Sequence, residues 1–348
     1  MKFLKTLLFA TFICGIFCSA QLSAQTFEDA GQYLEHINNA NKTLTEKYLV
    51  YLSAVSHSKS TSKMEKTRQS LLNSIEETRY DIMGTPPYKG DRKLRDTTLL
   101  YLKILQNVFN EDYGKIVNME EIAEQSYDLM EAYLLAQEKA NEKLNQAGLK
   151  QREIQKEFAQ KYNITLIESS SPIETKMKIA TEVMSHYNDV YLIFFKSYKQ
   201  EAYLTEAVNA QKVNSIEQNL SSLEKFNEEG FEKLKNMSGY NSDASLIIAC
   251  RNMLNFYADE VKKGSMLTDF YLKEESFNKI KKQFDSKPQS KRTQQDVDQY
   301  NKAVNEMNEA STKFNALNVE INKQRDAGLK AWNKAVSAYM DTYMPTHK

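Results

Sequence analysis

The chain has 348 residues, and its 46 Lys and Arg are matched by 46 Asp and Glu, so the formal net charge at neutral pH is zero. That balance gives no broad field for steering polyanions and argues against a nucleic-acid partner. Of its cysteines, Cys14 and Cys18 sit near the N-terminus and Cys250 stands alone, so no disulfide framework is available and stability rests on packing.

The first element is a leader: Lys2 and Lys5, an apolar run from Leu7 to Phe17, and small residues ending at Leu22-Ser23-Ala24. The run is too short to span a bilayer and has the layout of a secretory signal peptide cleaved after Ala24. Thr11-Phe12-Ile13 and Gly15-Ile16-Phe17, which precede the two leader cysteines, depart from a lipidation motif, so the reading is export without a lipid anchor. No later stretch reads as a transmembrane span.

After the leader, ten Gly and five Pro are too few to interrupt long segments whose apolar residues recur every three or four positions. The spacing predicts helices near 27–58, 62–83, 92–113, 119–162, 172–210, 214–238, 244–263, 266–284 and 293–343. Ser62 to Glu65 and Asn118 to Glu121 have capping-box spacing, and Ser171-Pro172 opens the next helix. Asp91 and Asp243 are placed as caps, with Gly84, Gly239 and Gly264 as helix ends. The helix over 119–162 overhangs its short neighbours, so it either breaks near Gly148 or packs on another part of the chain.

Three segments recur in order. Tyr48-Leu49-Val50-Tyr51-Leu52 returns 143 residues on as Tyr191-Leu192-Ile193-Phe194-Phe195. Leu94, Tyr101, Leu102 and Leu105 return 152 residues on as Leu246, Met253, Leu254 and Tyr257, and Ala140, Lys143 and Asn145 return 170 on as Ala310, Lys313 and Asn315. The ordered echoes read as an internal duplication with a second copy enlarged near 279–292; chance agreement between amphipathic helices is the alternative. The expected fold is all-α, an elongated helical bundle of long antiparallel helices. It divides into a leader (1–24) and two three-to-four-helix halves, 25–170 and 171–348.

Chemistry is sparse. His36, His57, His186 and His347 have no Glu three residues before them, and the zinc-protease, Cys-x-x-Cys, nucleophile-elbow, P-loop and dinucleotide signatures are absent. No catalytic, cofactor or metal residue is therefore assigned. Cys250, on an apolar stripe, reads as a core residue. The rings of Tyr187, Tyr191, Phe194, Phe195 and Tyr198 read as core before ligand pocket. The interaction candidates are Tyr88, Lys89, Tyr240 and Asn241, in two loops where a Tyr stands three residues before a capping Asp, and Lys279, Lys281 and Lys282 on a basic amphipathic stretch.

Taken with the leader, the tyrosine-rich helices, the Met83-Gly84-Thr85-Pro86-Pro87-Tyr88 turn and the long closing helix, the chain resembles a family of exported all-helical surface proteins of Gram-negative bacteria that has no assigned activity. The resemblance implies an envelope protein and brings no site residues. The function expected is non-catalytic binding of an envelope protein or surface component, in the periplasm or at the cell surface. A small-ligand protein with an aromatic pocket and an enzyme of another type are the alternatives.

Overall fold

The computed structural model describes residues 27–57, 61–115, 122–166 and 172–345. The leader with its cysteines, the cap at 118–121, Ser171 and His347 lie outside the described residues. The helices are α1 (Ala30–His57), α2 (Thr61–Gly84), α3 (Lys93–Asn107), α4 (Tyr127–Lys161), α5 (Pro172–Asn209), α6 (Val213–Lys235), α7 (Ser245–Ser286) and α8 (Gln294–Tyr343). No strand occurs among the described residues, and the architecture is an all-α bundle.

Local chemistry accounts for the boundaries. α8 opens on a reciprocal cap: the Thr293 hydroxyl accepts from Asp296 N at 3.2 Å, and the Asp296 carboxylate accepts from Thr293 N at 2.9 Å. α4 starts later than its apolar stripe predicts, because Ser126 Oγ caps it by accepting from Leu129 N at 3.2 Å. α3 continues through one π turn, Val108–Asp112, where the wide turn lets Phe109 and Tyr113 stack at 5.1 Å with both side chains buried.

The helix end expected at Gly264 is absent, and of the two alternatives for α4 the break near Gly148 is not the one realised. α7 runs unbroken through Gly264, where a Cβ would lie 2.5 Å from Leu220 Cδ1. The glycine serves close approach of α6 rather than a helix end, which is why a terminator reading fails there. α4 also runs unbroken through Gly148, which meets nothing within 4 Å.

The overhang of α4 finds a partner instead. Met130 and Leu134 join an apolar core built mainly from α5 to α8, whereas Ala140, Ile154 and Phe158 join one built from α1 to α4. Tyr133 packs against both.

Positions recur between the two cores, but in a different register from that of the strongest sequence echo. The buried residues Ala30, Ile37, Tyr51 and Ala54 of α1 match buried Val183, Val190, Leu204 and Ala207 of α5. Leu71 and Ile82 match Leu223 and Leu234; Leu94, Thr98 and Leu102 match Leu246, Cys250 and Leu254; Ala140, Gln151 and Phe158 match Ile321, Trp332 and Tyr339. In this register Tyr48 faces the place of Glu201, not of Tyr191. The echoes at 143 and 170 are each displaced by ten or eleven residues from it. Three helical turns span about 11 residues, so a sequence slipped by that amount still lays its apolar stripe on the same face.

Candidate functional site

The two Tyr-x-x-Asp loops fold alike. Lys89 and Gly90 take φ of 48° and 83°, Asn241 and Ser242 take 47° and 69°, and each Asp N donates back to the Tyr carbonyl, at 2.9 Å and 2.8 Å. Positive φ at both central residues folds the chain sharply back. Asp91 Oδ1 then accepts from Lys93 N at 3.0 Å and Asp243 Oδ1 from Ser245 N at 2.7 Å; each Asp stands one residue before the N-cap, Arg92 or Ala244, and satisfies the first N–H of α3 or α7 from there. Asp91 is also bound by Lys161 Nζ at 2.7 Å, a bond that, with its backbone bond, holds the carboxyl below the usual carboxylate range.

The loops turn their rings inward. Tyr88 is buried against Tyr33, Phe158 and Tyr162, and Tyr240 packs against His186, Tyr339 and Tyr343. Tyr88 ties its loop to the end of α4, and the half-buried Tyr240 ties its loop to the end of α8. Lys89 and Asn241 are exposed at the tips, with Lys89 over the Tyr88 ring.

Lys279, Lys281 and Lys282 occupy a different kind of place. α5 ends and α6 begins near the level of Tyr271, whose hydroxyl donates to Val208 O at 2.7 Å. Beyond that level α7 and α8 continue as a two-helix arm of about 15 residues per helix or more, roughly 22 Å long. Phe277, Ile280, Phe284, Val297, Tyr300, Val304 and Met307 form its seam, are all half-buried and belong to neither core. Phe284 stacks on Tyr300 at 4.4 Å, and Arg292 lies over Phe284. Lys281, Lys282 and Lys291 form no ion pair among the described residues.

The sequence reading missed a buried ion cluster. Glu201 of α5 and Glu260 of α7, whose side chains are 4 % and 3 % exposed, both engage Arg325 of α8. Arg325 Nε donates to Glu201 Oε1 at 2.6 Å and Nη2 to Glu260 Oε1 at 3.2 Å, while Thr205 Oγ1 donates to Glu201. Burial raises both carboxyls; Glu260 reaches about 8, with the Glu201 charge adding to burial and Arg325 opposing it. Ile193, Gly230 and Leu254 mark where α5, α6 and α7 meet closely. One turn along each helix lie Ser197, Asn227 and Tyr257, all buried, with no hydrogen-bond partner among the described residues for their side-chain polar atoms.

The first core holds the corresponding positions without charge. Opposite Ser197, Glu201, Asn227, Tyr257, Glu260 and Arg325 stand Leu44, Tyr48, Ile75, Leu105, Val108 and Leu144. The core built from α1 to α4 therefore closes with apolar residues at these positions, whereas the core built mainly from α5 to α8 carries charges. The available signal was polar residues standing on apolar stripes: Glu260 lies three residues after Tyr257 and seven before Leu267, both buried.

The other candidates are closed or open surface. Cys250 is fully buried, and burial pushes its thiol up to about 12. Phe194 stacks on Trp332 at 4.3 Å and Phe195 is buried, so this aromatic cluster is packed core. An open groove of about 510 Å³ lies beside the π turn, with Val108, Glu111, Asp112, Lys143 and Ala147 among its walls. Among the described residues no group of three or more His, Cys, Asp or Glu could hold a metal ion, and no helix is long and apolar enough to cross a membrane. No protein-family model, curated protein or solved structure matches this chain.

Proposed function

We propose that the chain is an exported, non-catalytic binding scaffold of the cell envelope whose interaction element is the α7–α8 arm, within a bundle made of two copies of one four-helix unit. The observation that carries it is the arm itself: long helices extended past both cores, with an apolar seam that serves neither. Ordering such an arm costs conformational entropy without adding to the bundle core, and a binding role accounts for its presence. The leader supports export, and the second unit differs from the first chiefly by this arm and the buried ion cluster.

The test is to replace residues 273–311 by a short turn and compare the shortened and whole proteins by cell fractionation. The shortened protein is expected to keep its far-UV circular dichroism and thermal unfolding but lose retention in the envelope fraction. Equal retention of a folded, armless protein would sink the reading.

A further inference from the structure

Charge is sorted along the arm. Lys281, Lys282, Lys287, Lys291 and Arg292 lie in the outer half of the arm, where Asp285, Asp296 and Asp298 answer them only in part, and Lys279 sits midway. Lys287 is held by Asp296 and Lys279 by Glu275, whereas Lys281, Lys282 and Lys291 have no ionic partner among the described residues. The base has the opposite bias: Asp269, Glu274 and Glu275 on α7 and Glu309 on α8 outnumber Lys273 and Lys313, while Lys302 and Glu306 pair with each other midway. The arm is positive at its far end and negative where it leaves the bundle.

The seam adds a second constraint. Phe277 and Phe284, Val297 and Val304, and Tyr300 and Met307 are each seven residues apart, with Ile280 between the first pair. That heptad spacing is what helices in a supercoiled bundle use. Two helices alone bury the small residues Ala303 and Ala310 but leave the larger seam side chains half exposed; four helices close such a stripe.

From these two features we infer that the arm docks on the arm of a second copy of this chain, antiparallel, closing a four-helix bundle with two-fold symmetry. Reversing one arm against the other sets each basic tip on the partner arm's acidic base and closes the half-open seams together. An isologous contact of this kind is self-limiting, so it ends at a dimer. A parallel pairing is disfavoured because it brings the two basic tips together. An anionic lipid surface would answer the tip charge but not the acidic base or the seam. The inference rests on the arm being the interaction element.

The experiment is sedimentation velocity on the whole protein lacking its leader, at two salt concentrations, with charge-swapped variants. The unsubstituted protein is expected to dimerise. Lys281→Glu with Lys282→Glu is expected to weaken the dimer by about tenfold or more, as is Glu274→Lys with Glu275→Lys, each by placing like charges opposite one another. All four substitutions together restore dimerisation, a rescue that simple misfolding does not give. Phosphatidylglycerol vesicles are tested in parallel by co-sedimentation. A monomer at all concentrations, a dimer indifferent to either pair of substitutions, or vesicle binding by a protein that stays monomeric overturns the inference. If the monomer still needs its arm for envelope retention, the dimer alone falls; if retention is also independent of the arm, the proposed function falls with it.

Discussion

Two glycines with the same helical conformation have opposite reasons to be there. Gly264 lets Leu220 of α6 sit where a methyl group would be, at 2.5 Å from the position of a Cβ, whereas Gly148 faces open space. Gly264→Ala should therefore destabilise the protein by about 1–3 kcal/mol through overpacking. Gly148→Ala should stabilise it by about 0.5–1 kcal/mol by restricting the unfolded chain. Urea denaturation of the two variants checks both signs; equal effects would refute the assignment of Gly264 to close packing. The sequence shows both glycines inside apolar stripes but not which of them a neighbouring helix crosses. Loop position also suggests exposure for Tyr88 and Tyr240, whereas the left-handed turns carry the Tyr88 ring into a buried cluster and leave Tyr240 half-buried.

At the scale of the helix, the ion cluster makes the contact of α5 with α7 and α8 sensitive to pH. Glu260 takes up its proton near the ordinary value of 4.5 when unfolded and holds it to about 8 when folded. Its contribution to stability is thus fully present below about 4.5 and is lost as pH rises through 8, by up to about 1.4 kcal/mol per pH unit for one proton. The groups facing it are Glu201 on α5, Tyr257 on α7 and Arg325 on α8. Asp91 and Asp243, whose carboxyls are held low by Lys161 and by the Ser245 backbone, act in the other direction and weaken the fold only in acid. Denaturation at pH 5, 7 and 9 should show stability falling with pH, and Glu260→Gln should flatten that fall while keeping the fold. An unchanged slope in the variant would remove Glu260 as its origin. Because replacing a buried ion pair by apolar residues of similar size is often neutral or stabilising, the first core shows what the second forgoes in this layer.

For the whole molecule, helix content and most helix ends were legible because caps, glycines and the 3.6-residue period are local. The joining of 244–263 and 266–284 into α7 was not, since it depends on Leu220, more than forty residues away in sequence. The burial pattern recurs with the spacing of the Leu94 and Leu246 echo, beside two turns of the same shape, but not with that of the Tyr48 and Tyr191 echo, which differs from it by about three helical turns. The basic stretch of the arm was visible as charge; that it stands clear of both cores is a matter of relative helix length, which a sequence shows only once partners are known.

The sharing of α4 between the cores has a consequence for how the protein comes apart. With Met130 and Leu134 in one core, Ala140 to Phe158 in the other and Tyr133 against both, neither half can lose its packing without exposing part of one continuous helix. Amide exchange along α4 should then be slowest around Tyr133 to Ala140 and report a single opening event common to both halves. Tyr133→Ala is expected to split one denaturation transition into two, and a wild-type protein that already melts in two steps would show that α4 transmits no cooperativity between them.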